Sequence, residues 1–182
     1  IPVARQNVKW ALERLNQQNS IVEIDDDSRR LKELADQYSP DQLLITNTRE
    51  NLAEINEAVR STLIEGGNVG RNGRTGKKRD VNDVTGTTRQ IYLSKGDRVR
   101  LTQAHRVEEQ DGRSHLRPID SQLDPADDRV LLKPWSEATV ESIEDTGLIL
   151  DHDRYDSPLI LDNDSDKPLN LAYAYATTTN QI

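Results

Sequence analysis

Ten of the 24 basic side chains lie between residues 69 and 106, with three acidic ones among them, a local charge of +7 in a protein whose formal net charge is −8. Arg71, Arg74, Lys77, Lys78, Arg79 and Arg98 belong to this run; Gly66 and Gly67 precede it, and Gly70, Gly73, Gly76 and Gly86 thread its first half. A flexible basic loop on an acidic protein suits contact with a polyanion. The same charges also suit a solvated linker that balances residues 107–166, whose local charge is −12. A second group is small and uncharged. Thr46, Asn47 and Thr48 precede one helical pattern, and Thr177, Thr178, Thr179 and Asn180 close the chain. Hydroxyl and amide side chains beside a helix N-terminus suit phosphate oxygens, although threonine also simply caps helices and fills strands.

Other chemistry is poorly supported. Thr75-Gly76-Lys77-Lys78 superficially resembles part of a phosphate-binding loop, but it has neither the strand before it nor the helix after it that such a loop requires. With no cysteine, thiolate zinc sites, disulfides and cysteine nucleophiles are excluded. His105, His115 and His152 sit in charged stretches, and Asp151-His152-Asp153 reads as a loop between strands before it reads as a hard-metal site. The carboxylate clusters at 25–27 and 162–164 read as turns and caps, because no apolar setting is there to raise a pKa. No serine, threonine and histidine come together as a nucleophile motif. Binding, rather than catalysis, is the expectation.

These residues need elements to position them. In 182 residues of low mean hydropathy, with no apolar run near the roughly 18 needed to cross a bilayer, no membrane segment is expected. Arg5, Lys9 and Trp10 near the start do not suit a signal peptide. The chain opens Ile1-Pro2-Val3 and contains no methionine, so it is expected to be an excised piece of something longer.

Val8, Ala11, Leu12 and Leu15 form one helical stripe, and a short strand is expected over 20–24. A second helix, capped by Asp27 or Ser28, presents Leu31, Leu34, Ala35 and Tyr38. Residues 42–46 read as a strand covered on both faces. Thr48 caps a third helix bearing Leu52, Ile55, Val59 and Leu63, which Gly66-Gly67 ends.

Beyond residue 87 the period falls to two. Strands are expected at 89–93, 98–102, 129–132, 138–143, 148–150 and 158–161, packed as a small barrel, with 103–128 a polar excursion. Residues 169–179 would return as one more strand of the first unit. The expected fold is therefore α/β: a partial parallel unit from 1–68 plus 167–182, interrupted by a basic loop and barrel over 69–166.

The order of four segments carries a family resemblance. LLITNTRENLAEINEAVR (43–60) is followed by KGDRVRLTQ (95–103), then ATVESI (138–143), then LNLAYAYATTT (169–179). This order resembles the second motor domain of RecD/TraI-type superfamily 1 helicases, including the helicase parts of conjugative relaxases. The resemblance implies a RecA-like unit, with Gly96-Asp97-Arg98-Val99 marking an inserted SH3-like barrel and Ile55-Asn56 in the place of a Leu-Asn pair. Tyr175, Ala176, Thr178 and Asn180 match places in the closing family motif, with Asn180 standing where that motif has histidine.

By that resemblance the chain is a fragment that contacts single-stranded DNA through Thr46, Thr48, Asn56, Arg71, Arg74, Lys77, Lys78, Arg79, Arg98, Thr178 and Asn180. It would be inactive alone, would carry no cofactor, and would work in the cytoplasm with the rest of a parent helicase that binds ATP and Mg. A second possibility is a helicase-like translocation signal or protein-docking module, recognised by the coupling protein of a type IV secretion system, with the acidic 107–166 stretch as its docking face.

Overall fold

The structure, a computed structural model, describes residues 2–18, 20–70, 76–83, 87–119, 131–163 and 167–178, with side chains from residue 8 onward. Arg71, Arg74, Asn180 and residues 120–128 of the expected 103–128 excursion lie outside the described residues.

Three helices come first: α1 (Pro2–Gln17), α2 (Asp27–Asp36) and α3 (Arg49–Glu65). Asp26 caps α2 by accepting from the Arg29 amide at 2.7 Å, one residue earlier than the sequence pattern suggests. Thr48 caps α3 through the Asn51 amide at 3.2 Å, as its position implies. Ala35 of α2 packs against Ile55 and Val59 of α3, with Tyr175 and Ala176 completing this small core. The α1 stripe differs. Val8, Leu12 and Leu15 are 60, 51 and 43% exposed, so it covers no core among the described residues.

Strands dominate the rest: β1 (Leu44–Thr46), β2 (Lys77–Asn82), β3 (Thr88–Leu93), β4 (Arg98–Leu101), β5 (His105–Gln110), β6 (Arg113–Pro118), β7 (Leu131–Leu132), β8 (Glu137–Ile143), β9 (Gly147–Asp151), β10 (Leu159–Asp162), β11 (Leu171–Tyr173) and β12 (Ala176–Thr178). Eight of them form one curled mixed sheet in the order β11-β4-β8-β9-β10-β6-β5-β7. Its only parallel pair among the described residues is β10 with β6. The concave side holds Leu93, Val99, Leu116, Leu132, Leu150 and Leu171, each at most 1% exposed. The β2–β3 hairpin abuts this sheet where Val81 meets Leu169.

This architecture overturns the expected fold class. A partial RecA-like parallel unit needs strands covered by helices on both faces. Beside the helices, the parallel component among the described residues is the β1–β12 pair, three residues each. Leu43 and Ile45 are 60 and 50% exposed, so the 42–46 run is covered on one side only, by α2 and α3. Residues 20–24 run without a ladder partner. The pairing of 44–46 with 176–178 does make neighbours of the two distant segments, within a fold that is mostly β-sheet.

Two polar stretches also fold differently. The start of the 103–128 excursion is the β5–β6 hairpin, turned by Asp111 and Gly112 at φ 53° and 72°. Aspartate and glycine tolerate that left-handed backbone, and His105, Val107, Ser114 and Leu116 point inward in alternation. The basic segment is a strand from Lys77 onward and not a loop, because its alternating Val81 joins the barrel core.

Candidate nucleic-acid interface

The join between the helices and the curled sheet is built on Asp97. This carboxylate is fully buried at the end of the turn that Gly96 makes at φ 89°. Oδ1 accepts from Arg60 Nε at 2.9 Å and from the Tyr175 hydroxyl at 2.6 Å. Oδ2 accepts from the Ser94 amide at 2.7 Å and from Arg60 Nη2 at 3.2 Å. Burial works against the Arg60 charge, but the hydrogen bond and charge of Asp97 outweigh it and raise the guanidinium's pKa. Burial and the neighbouring carboxylate push the Tyr175 hydroxyl well above its ordinary value, so it stays a donor. The Gly-Asp-Arg-Val sequence thus ties a helix, a turn and β12 together.

Asn56 completes the tie. Its Oδ1 accepts from the backbone N–H groups of Tyr175 and Ala176, both at 2.9 Å, while Nδ2 donates to the Leu52 carbonyl. At 5% exposure it positions the incoming β12 strand.

That positioning sets the register of the threonines. Thr46 lies opposite Thr178 and Ile45 opposite Thr177, so the carboxyl ends of both strands coincide beside the capped first turn of α3. Thr46, Thr48 and Thr178 are therefore brought together as the sequence suggests, with Thr46 and Thr178 only 9 and 5% exposed. Arg100 braces this corner, donating to Thr177 Oγ1 at 3.1 Å, to the Ala176 carbonyl at 2.9 Å and to Glu137 at 3.0 Å. Burial lowers its pKa, and Glu137 partly restores it.

Arg100 also lines a cleft of about 400 Å³ between α3, the β2–β3 hairpin and β11. Leu52, Val81, Ile91, Ala172 and Tyr173 supply its apolar walls. Arg49 and Arg89 add cations, and Glu54, Glu57 and Asp83 add carboxylates. The Arg60 guanidinium lies over the Tyr173 ring, 5.3 Å from its centroid.

The other basic candidates are spread out. Lys77 pairs with Asp145 at 3.1 Å. Arg79 donates to the Lys78 carbonyl, and Arg89 pairs with Asp83. Arg98 is clamped by the Tyr38 hydroxyl, the Pro40 carbonyl and Glu137. Lys77, Arg98 and Arg100 thus meet acids of residues 107–166, a part of the +7 segment that fits the charge-balancing interpretation. Lys78 is exposed on the outer face of the hairpin, directly across from the 44% exposed Tyr92.

Sequence reasoning missed Arg49 and Tyr92, and took Arg89 and Arg100 only as members of the basic run. Arg49 follows the Thr48 cap directly, so the cap itself was the signal; the others required the strand pairing. His152 accepts the Arg154 amide and packs edge-on to Tyr155, a local loop role. No group of three metal-ligating side chains occurs among the described residues, and no described helix is long and apolar enough to cross a membrane. Comparison with protein-family models, with curated proteins and with solved structures finds no match for the chain.

Proposed function

We propose that the chain contacts the backbone of single-stranded DNA across the carboxyl ends of β1 and β12, the first turn of α3 and the β2–β3 hairpin. It does so as a non-catalytic part of a larger cytoplasmic relaxase or helicase, whose other regions bind ATP and Mg. The observation that supports this best is the coincidence of Thr46 and Thr178 at the capped end of α3, with Arg49 and Arg100 leading from it into the cleft. Helix N–H groups, hydroxyls and guanidinium groups together suit phosphate oxygens without reading sequence. Because Lys77, Arg89, Arg98 and Arg100 of the basic segment are already paired with carboxylates, affinity is low and strongly salt-dependent. Fluorescence anisotropy of a labelled oligothymidine tests this. Binding at low salt should weaken steeply as salt rises, and further in Arg49→Glu and Lys78→Glu. Binding unchanged in both variants refutes this face as the contact.

The exposed α1 stripe favours a second reading, a docking module read by a type IV secretion coupling protein. Under it, Leu12→Glu with Leu15→Glu weakens binding to the purified coupling protein and leaves oligothymidine binding intact.

A further inference from the structure

The cleft is lined in a way that a phosphate alone does not explain. Its interior is apolar, with Ala172 and Ile91 on strands and Leu52 on α3, while Glu54 and Glu57 stand one helical turn apart along its α3 wall. Glu54, Glu57 and Asp83 offset Arg49, Arg89 and Arg100 in its lining, so the cleft has no net positive charge to hold a phosphate; the anionic backbone belongs at the Arg49 end and something uncharged belongs within. A cleft of about 400 Å³ lies near the lower end of the roughly 300–1,000 Å³ typical of small-molecule sites, which suits a single ring system and not a length of chain.

From this we infer that the cleft receives one extruded nucleobase, and that its carboxylates select guanine. The assignment rests on the single-strand reading above and adds a base preference to it. A carboxylate accepts two hydrogen bonds side by side. Among the four DNA bases, guanine alone offers two adjacent donors on its pairing edge, a ring N–H and an exocyclic amine. Thymine offers one donor between two carbonyl oxygens, which face the carboxylates unfavourably. Adenine offers an amine beside an acceptor nitrogen. The aliphatic walls and the Tyr173 ring bury the faces of the base.

The test compares a 12-residue oligothymidine with the same strand carrying one central dG or one central dA, by anisotropy at low salt. The dG strand should bind about tenfold more tightly than either other strand, the scale of one good two-bond base contact. Glu54→Gln with Glu57→Gln, both on the exposed side of α3, should erase that preference while keeping or raising oligothymidine affinity. Ala172→Trp, which fills the cleft, should erase it too. Should that substitution fail to fold, the glutamine pair alone decides. Equal affinity for all three strands overturns the base site while leaving backbone contact standing. Absence of binding to every strand overturns both.

Discussion

Four donors converge on the Asp97 carboxylate at zero exposure, two from Arg60, one from Tyr175 and one from the Ser94 amide. Removing one member of a buried pair leaves an uncompensated charge, which costs about 3–5 kcal/mol. Asp97→Asn should lower unfolding free energy by that amount in urea titration. Glu137→Gln should cost less, about 1–3 kcal/mol, because Glu137 is 38% exposed although the Arg100 it holds is buried. His105 adds a pH dependence. It is 1% exposed, its Nδ1 faces the Gln103 carbonyl, and burial lowers its pKa below the ordinary 6.5. The unfolded chain then takes up a proton that the folded one resists, so stability falls as pH drops below about 6.5. Urea midpoints of the wild type and His105→Gln, compared at pH 7.5 and 5, should diverge at the lower pH, with the variant losing less.

Among the helices, α1 and α3 carry similar apolar stripes but opposite burial. Ile55→Ala in α3 should destabilise by about 2–5 kcal/mol, because Ile55 fills the helical core. Leu12→Glu in α1 should stay within about 0.5 kcal/mol, because Leu12 is 51% exposed. Thermal melts of the two variants separate these outcomes. Sequence periodicity sees both stripes alike, since it records which residues share a face and not whether anything covers it. The same blindness explains residues 42–46, whose apolar run looked doubly covered although only one side meets helices. Capping was more legible, because Thr48 acts within four residues of its partner. The β5–β6 hairpin was legible in principle from Asp111-Gly112 between alternating segments, but the charged residues on its outer face obscured the period of two. Arg100 was out of reach, since its partners Ala176 and Thr177 lie more than 70 positions away.

Over the whole molecule, the helices and the curled sheet share one junction through Asn56, Arg60, Asp97 and Tyr175, and the proposed contact face lies beside it. The charge asymmetry so plain along the chain is partly cancelled in three dimensions, where Lys77, Arg98 and Arg100 meet Asp145 and Glu137. What remains for a ligand is a local arrangement: two threonine strand ends, one helix start, and a cleft edged by guanidinium groups. Photocrosslinking of an oligothymidine containing 4-thiothymidine, followed by peptide mass spectrometry, tests that location directly. Crosslinks should fall within residues 44–54, 77–82, 88–93 and 176–178. Crosslinks confined to 105–118, on the far edge of the sheet, would contradict the account.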